Sequence, residues 1–206
     1  MSFSHLLRTS IDVESFRTRF NIPHDMNIPY CHEGDIEDQR LPHVVFFPLM
    51  SILEGGLRFP VEPLLLRTLG FYGLCLDQCL PNFYRVVSYM GCLNRLYGLS
   101  LTHHDINFLY AIRGSLKHKC YLQTLNTMVK LISCFHDFNK NLAGEFLRVS
   151  GNWLNDELTC PTSPCQIGRY PIIYPERRVS SRVELWAAFG NFRELRWAVE
   201  RFPLNS

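Results

Sequence analysis

Between residues 46 and 112, apolar residues recur at the spacing of helix faces, and each apolar run is bounded by glycine, proline or threonine. Proline suits the first turn of a helix, where its missing N–H has no partner, and glycine readily adopts the left-handed conformation that ends one. The pattern therefore predicts four consecutive short helices. They run from Phe46 to Glu54, from Pro63 to Gly73, from Pro81 to Gly98 and from Thr102 to Ile112.

Short polar residues mark two helix starts. Thr102, with Asp105 three positions later, has the pattern of a capping box, in which each side chain binds the backbone N–H of the other residue. Ser10 is the predicted N-cap of an earlier helix that ends at Phe20. The following segment, Asn21 to Pro42, contains three prolines and a glycine. It is predicted to be a loop or an extended wrap, not a packed element.

Beyond Gly114 the pattern changes to β-branched, aromatic and alternating residues, which are typical of strands. Lys119 to Leu125 and Met128 to Cys134 predict a hairpin. Glu145 to Ser150 predicts a third strand, with Phe146 facing inward.

The last part of the chain combines an irregular stretch with two helix starts. Thr159 to Tyr174 contains three prolines, and capping-box patterns begin at Ser181 and Asn191. The predicted fold is α+β and mainly α: a bundle of short helices, a small antiparallel hairpin or three-stranded sheet, and two C-terminal helices. The predicted divisions are 1–42, a helix and an acidic loop; 43–153, the core domain; and 154–206, an irregular segment with the final helices.

Composition fits one compact intracellular domain. Of 206 residues, 47% are apolar and 19% charged, enough to form a core and too apolar for a disordered chain. The N-terminus has no secretory signal pattern, and the longest uncharged apolar run, Val44 to Leu53, is about half of the roughly 20 residues that a spanning helix needs. We therefore expect a protein of the nucleus or cytoplasm, neither secreted nor membrane-bound, with reduced cysteines.

One segment is basic. Residues 113–148 hold six Lys or Arg against two Asp or Glu, although the net charge of the chain is only +2. Four of these cations are the candidate contacts to nucleic-acid phosphates: Arg113, Lys117, Lys119 and Lys130. Binding of that kind would weaken with added salt. The alternative, which we favour, is a solvated hairpin face.

Candidate catalytic and metal sites have plainer interpretations. The chain lacks the Gly-x-Ser-x-Gly, phosphate-loop and dinucleotide-turn motifs. Adjacent residues on a helix point in different directions, so His103 and His104 are not expected to converge on one ion. Two cysteine pairs have zinc-like internal spacing, Cys75 with Cys79 and Cys160 with Cys165, but they lie far apart in the sequence. Buried free thiols are therefore the favoured interpretation. No metal, cofactor or catalytic residue is predicted.

Several motifs in order, between His43 and Trp153, resemble the gypsy-type transposon domain family of plant genomes, also called the plant transposon protein domain. The resemblance is carried by Gly56-Leu57-Arg58-Phe59-Pro60 with Pro63, Leu69, Tyr72-Gly73-Leu74, Gln78-Cys79-Leu80-Pro81-Asn82, and Phe146 to Trp153. It implies a domain of retroelement origin, gag-like in the sense of a structural part, with no catalytic residues to carry over.

Most residues of the shared motif fix backbone geometry and perform no chemistry. The full set of motif residues is Gly56, Arg58, Phe59, Pro60, Pro63, Gly73, Pro81, Asn82 and Trp153. Arg58 is the charged exception, and it could pair with Glu54 or Glu62 or cap helix carbonyls as a structural anchor. The leading hypothesis is a non-catalytic structural or assembly domain that associates with itself or with other proteins. The alternative is a nucleic-acid-binding module that uses residues 113–148, and an enzyme comes third.

Overall fold

Helices and short antiparallel strands alternate along the part of the chain that the structure, a computed structural model, describes: residues 4–7, 9–36, 44–114, 119–125, 144–151 and 153. The coarse prediction of an α+β fold is confirmed for these residues. The elements are α1 (Ser10–Phe20), β1 (Tyr30–His32), β2 (Val45–Pro48), α2 (Leu49–Leu53), α3 (Pro63–Tyr72), α4 (Pro81–Tyr97), α5 (His103–Leu109), β3 (Tyr110–Gly114), β4 (Cys120–Thr124) and β5 (Glu145–Val149). Short 3-10 turns lie at Ser4–Leu7, Glu33–Asp35 and Leu76–Gln78.

The ends of α3 and α4 lie where proline and glycine predicted them. Pro63 and Pro81 occupy the first turns of the two helices. Gly73 and Gly98 follow the last helical residues, each with a φ of 62° in the left-handed region. A residue with a Cβ is strained in that conformation, so these glycines set where each helix ends.

Helix α1 has the predicted bounds but a different cap. The Thr9 hydroxyl oxygen accepts from the Asp12 N–H at 3.1 Å, and the Thr9 N–H donates to the Asp12 carboxylate at 2.9 Å. The predicted cap, Ser10, is instead the first helical residue. Thr9 prevails because only it has an acidic residue at the third helical position, which completes a capping box.

The run predicted as a helix from Phe46 to Glu54 is a strand followed by one helical turn. Strand β2 pairs with β5, with Phe47 opposite Leu147, and α2 begins only at Leu49. Phe47 and Leu147 are both fully buried. A short continuous apolar run fits a buried strand as well as a buried helix, so its periodicity did not separate the two.

The predicted fourth helix is also shorter than expected. Helix α5 ends at Leu109, and the next residues form β3, in which Ile112 pairs with Leu122 of β4. Strand β4 was predicted correctly, but its described partner is β3. The predicted partner, Met128 to Cys134, lies outside the described residues.

Strand β5 is the central strand of a three-stranded antiparallel sheet with the order β1-β5-β2. Tyr30 of β1 and Phe47 of β2 both lie opposite Leu147. The prediction of a strand here is confirmed. Within the described residues, however, this sheet is separate from the two-stranded β3-β4 sheet.

The prediction that residues 21–42 form no packed element is wrong for the described part, 21–36. This segment contains β1, and five of its apolar side chains are buried: Ile22, Met26, Ile28, Cys31 and Ile36. Ile22, Met26 and Ile28 join the main core together with side chains from α3 and α4. The N-terminal segment therefore shares one core with the region that carries the motif.

A second, smaller apolar cluster consists of Cys31, Ile36, Phe46 and Phe146. No helix among the described residues has the length and apolar character needed to cross a membrane. The predictions of an irregular stretch and two helices after residue 154 concern residues outside the described part.

Candidate functional site

Arg58 lies across the end of α2. Its Nη1 donates to the carbonyl oxygens of Leu57 at 2.8 Å and Ile52 at 3.3 Å, and its guanidinium lies 5.3 Å from the centre of the Phe20 ring in α1. Of the roles predicted for Arg58, the capping of helix carbonyls is the one that these hydrogen bonds support. Cation–π contact adds to it and joins α1 to the connector before α3.

The two acidic residues considered as partners for Arg58 contact other arginines. Glu54 accepts through its carbonyl oxygen from Arg85 Nε at 3.0 Å and Nη2 at 2.9 Å. The Glu62 carboxylate forms an ion pair with Arg95 and lies against Gly91. Both contacts join α4 to segments that precede α3, the first through the main-chain carbonyl of Glu54 and the second through the carboxylate of Glu62.

Asn82 connects the start of α4 to strand β4. Its Nδ2 donates to the Leu122 carbonyl at 2.9 Å, and its Oδ1 accepts from the Leu122 N–H at 3.4 Å. Two residues earlier, the Leu80 N–H donates to the Cys120 carbonyl at 2.8 Å. The side-chain amide therefore continues the hydrogen bonding of the strand edge, which otherwise lacks a partner strand among the described residues.

The aromatic residues of the motif pack together around the connector before α3. Phe47 lies between Phe59 and Trp153 in edge-to-face contacts, with ring centres 5.3 and 5.9 Å away. The Val61 N–H donates to the Trp153 carbonyl at 3.1 Å. The Phe59–Pro60 peptide bond is cis, and Gly56 has a φ of 73°. The ring contacts and the hydrogen bond between Val61 and Trp153 hold β2, the connector and the end of β5 together.

Lys119, a candidate phosphate contact, faces inward. Its Nζ lies 3.0 Å from Glu33 Oε1, donates to the Asp77 carbonyl at 2.9 Å, and is 4.9 Å from the centre of the Phe146 ring. Its side chain is only 15% exposed. The ammonium group therefore joins three distant segments of the chain, a use that competes with binding phosphate.

Of the other three candidate phosphate contacts, Arg113 is the one that lies within the described residues. Arg113 is exposed, and its Nε donates to the Gln123 side chain across the β3-β4 sheet at 2.9 Å. Lys117 and Lys130 lie outside the described residues. The predicted nucleic-acid face thus has one exposed member within the described part of the chain.

Three cysteines lie close together under β4 as buried free thiols: Cys75, Cys79 and Cys120. The Sγ atoms of Cys79 and Cys120 are 3.9 Å apart, and the Cys79 Sγ also lies 3.5 Å from the Cys75 carbonyl oxygen. Burial raises the pKa of Cys79 well above its ordinary value, and the neighbouring Cys120 raises it further. A buried, protonated thiol reacts slowly. Cys160 and Cys165 lie outside the described residues.

The two adjacent histidines of α5 do not diverge. Their ring centres are 4.1 Å apart, and those of His103 and His104 lie 4.6 and 5.3 Å from the ring centre of Phe71 in α3. The expectation that these side chains point apart is wrong, because at the first helical positions both rings turn toward the same apolar neighbour. Sequence spacing gave no signal for this pairing.

The surroundings of His103 favour the neutral form of its ring. Burial lowers the pKa of His103, and the nearby His104 and Arg67 lower it further, while Asp105 opposes them. The Asp105 carboxylate accepts from the N–H and hydroxyl of Thr102 at 2.7 and 2.9 Å, which confirms the predicted capping box. Within the described ranges, no three His, Cys, Asp or Glu side chains are grouped to hold a metal ion.

The polar residues that the sequence singled out thus separate into two kinds. Arg58, Asn82 and Lys119 bind main-chain carbonyls of α2, β4 and the turn at Asp77, whereas the imidazoles of His103 and His104 lie side by side near the surface. No protein-family model, curated protein or solved structure matches this chain.

Proposed function

We propose that this chain is a non-catalytic structural domain of plant retroelement origin that works by assembly with further copies of itself. The order of its motifs supports the origin. The use of the motif's polar side chains supports the structural role: Arg58 donates to the Ile52 carbonyl of α2, and Asn82 donates to the Leu122 carbonyl of β4. That single observation carries the proposal.

The groups to which a side chain donates its hydrogen bonds separate a structural residue from one that acts on a substrate. A residue that acts on a substrate presents its donors toward a cleft, where they bind the ligand. The Asn82 amide instead binds both backbone groups of Leu122, and the Arg58 guanidinium binds the carbonyl of Ile52 at the end of α2. Replacing either side chain would expose unsatisfied backbone groups, so selection for a stable scaffold would account for both residues.

We assign the assembly contact to the end of α4. Leu96 and Tyr97 are 69% and 46% exposed there, and Leu99 in the next turn is half-buried. Apolar side chains that cluster on a surface favour burial against a partner. A second copy of the chain is the partner that a structural domain requires, and a two-fold contact would bring the same residues together from both copies.

Size-exclusion chromatography with light scattering over a concentration series tests this proposal. The parent chain is expected to show a mass that rises above the monomer value of 24.1 kDa as its concentration increases. Leu96→Lys is expected to return the mass toward that of the monomer. Ser100→Lys, at an exposed position nearby, is the matched control and should behave like the parent. A parent that stays monomeric at the highest concentration contradicts the assembly role.

A further inference from the structure

The paired histidines at the start of α5 offer chemistry that a scaffold does not need. His104 is exposed and His103 is half-buried, so both rings can be reached from solvent. Their ring centres are 4.1 Å apart. Imidazole nitrogen is among the commonest protein ligands for zinc, copper and nickel ions.

The spacing of the two rings is close to that of two imidazoles on one ion. Nitrogens bound about 2.0–2.1 Å from a metal place the two ring centres roughly 4.5–5 Å apart. The observed 4.1 Å is slightly less. Rotation of the exposed His104 ring about its side-chain bonds is enough to open the pair, and such rotation is easy at the surface.

We propose that His103 and His104 together bind one divalent transition-metal ion of the nitrogen-preferring class, such as Ni²⁺, Cu²⁺ or Zn²⁺, with water in the remaining coordination positions. Two ligands of one chain act as a chelate, so binding the first imidazole places the second near the ion. The proposal rests on the two side chains and makes no use of the backbone amides of this short helix.

The neighbouring residues hold His103 in place before any ion arrives. The Thr102–Asp105 capping box fixes the backbone from which both histidines project. Phe71 packs more closely against His103 than against the exposed His104, with ring centres 4.6 and 5.3 Å away, so His103 is positioned while His104 can turn. Ligands that are already positioned lose less conformational entropy on binding, which strengthens the complex. Asp105 is not a ligand in this arrangement, because its carboxylate is used by Thr102.

Arg67 provides a test of where the ion lies. Its charge already disfavours a second positive charge on His103. It should therefore repel a bound divalent cation in the same way. Arg67 is exposed, so Arg67→Gln removes the charge with little effect on packing. An ion at the histidine pair must then bind more tightly in this variant than in the parent.

Isothermal titration of the full chain with NiCl₂ measures the binding, and MgCl₂ serves as the negative probe. We expect the tightest Ni²⁺ site to weaken at least about tenfold in His104→Ala, since loss of even an outer-shell partner typically costs roughly 10–100-fold in metal affinity. Ni²⁺ binding should tighten in Arg67→Gln. His24→Ala, which removes a histidine that lies just after α1 and whose side chain is 81% exposed, is the matched control and should bind like the parent.

Three results would overturn the proposal. They are equal Ni²⁺ affinity in the parent and His104→Ala, equal losses in His104→Ala and His24→Ala, or an affinity in Arg67→Gln that is unchanged or weaker. Because His104 is exposed, circular dichroism of His104→Ala should match that of the parent. Binding is measured on the chain as it exists in dilute solution, so failure of this proposal leaves the assembly role untouched, and the reverse also holds.

Discussion

Replacing Lys119 by methionine tests whether this basic residue holds the fold together. Methionine keeps an unbranched apolar stem of similar length but removes the ammonium group. The variant therefore loses the hydrogen bond to the Asp77 carbonyl, the ion pair with Glu33 and the contact with the Phe146 ring. The apolar packing of the stem is retained, which isolates the contribution of the charge.

The expected loss follows from the three contacts of the ammonium group. A hydrogen bond from a charged donor contributes about 1.5–3 kcal/mol, and the lost partner leaves a carbonyl oxygen to be satisfied elsewhere. The ion pair is discounted to roughly 0–1 kcal/mol because Glu33 is 29% exposed and can be rehydrated. The ring contact contributes about 0.5–1 kcal/mol. Such terms overlap, so we expect Lys119→Met to lower the free energy of unfolding by about 2–3 kcal/mol.

Urea unfolding followed by circular dichroism gives this free energy, provided that the slope with denaturant stays equal to that of the parent. Arg113→Met is the matched control, because it removes an exposed cation from the neighbouring strand. A surface change of that kind should cost no more than about 0.5 kcal/mol. If Lys119→Met were as stable as Arg113→Met, the internal role of Lys119 would be refuted, and its side chain would be available for phosphate.

Three smaller predictions follow from local geometry. Thr102→Ala removes the cap of α5 and should lower the free energy of unfolding by about 1 kcal/mol in the same urea assay. Gly73→Ala forces a Cβ into the left-handed region at a φ of 62° and should cost about 1–2 kcal/mol; unchanged stability would contradict the assigned helix end. At pH 8, iodoacetamide should label the half-buried Cys92 before Cys79, because burial and the raised pKa keep Cys79 protonated; peptide mapping by mass spectrometry would show the order.

The features that could be predicted from sequence are those determined within a few residues. Pro63 and Gly73 set the ends of α3 by their own backbone preferences, and the Thr102–Asp105 pair starts α5 in the same way. These effects do not depend on the rest of the fold. A single sequence is therefore enough to place them.

The pairing of strands could not be predicted, because it depends on residues far apart in the chain. The Tyr30 hydroxyl donates to the carboxylate of Glu145, 115 positions away. Strand β1, which contains Tyr30, pairs with β5, which contains Glu145. Nothing local to Tyr30 indicates which strand lies beside it. The proline-rich segment around it therefore predicts a loop, although its apolar residues reach the core.

The candidate sites show the same limit. Lys119 lies in a basic stretch of sequence, which indicates a solvated surface, and only the folded chain places Glu33 and the Asp77 carbonyl around it. For His103 and His104, the rule that neighbours on a helix diverge concerns the direction of the Cα–Cβ bonds. Side-chain rotation toward Phe71 brings the rings together, and that neighbour comes from another helix.

The unfolding free energy of Asn82→Ala most directly tests whether the motif's polar side chains serve to hold the backbone. The substitution removes both hydrogen bonds to Leu122 and leaves the strand edge without them. Alanine itself favours a helix, so the expected net loss is about 1–2 kcal/mol in urea unfolding, with the mass in light scattering at matched concentration unchanged. Stability equal to that of the parent, together with altered self-association, would contradict the structural role and place Asn82 at a binding surface.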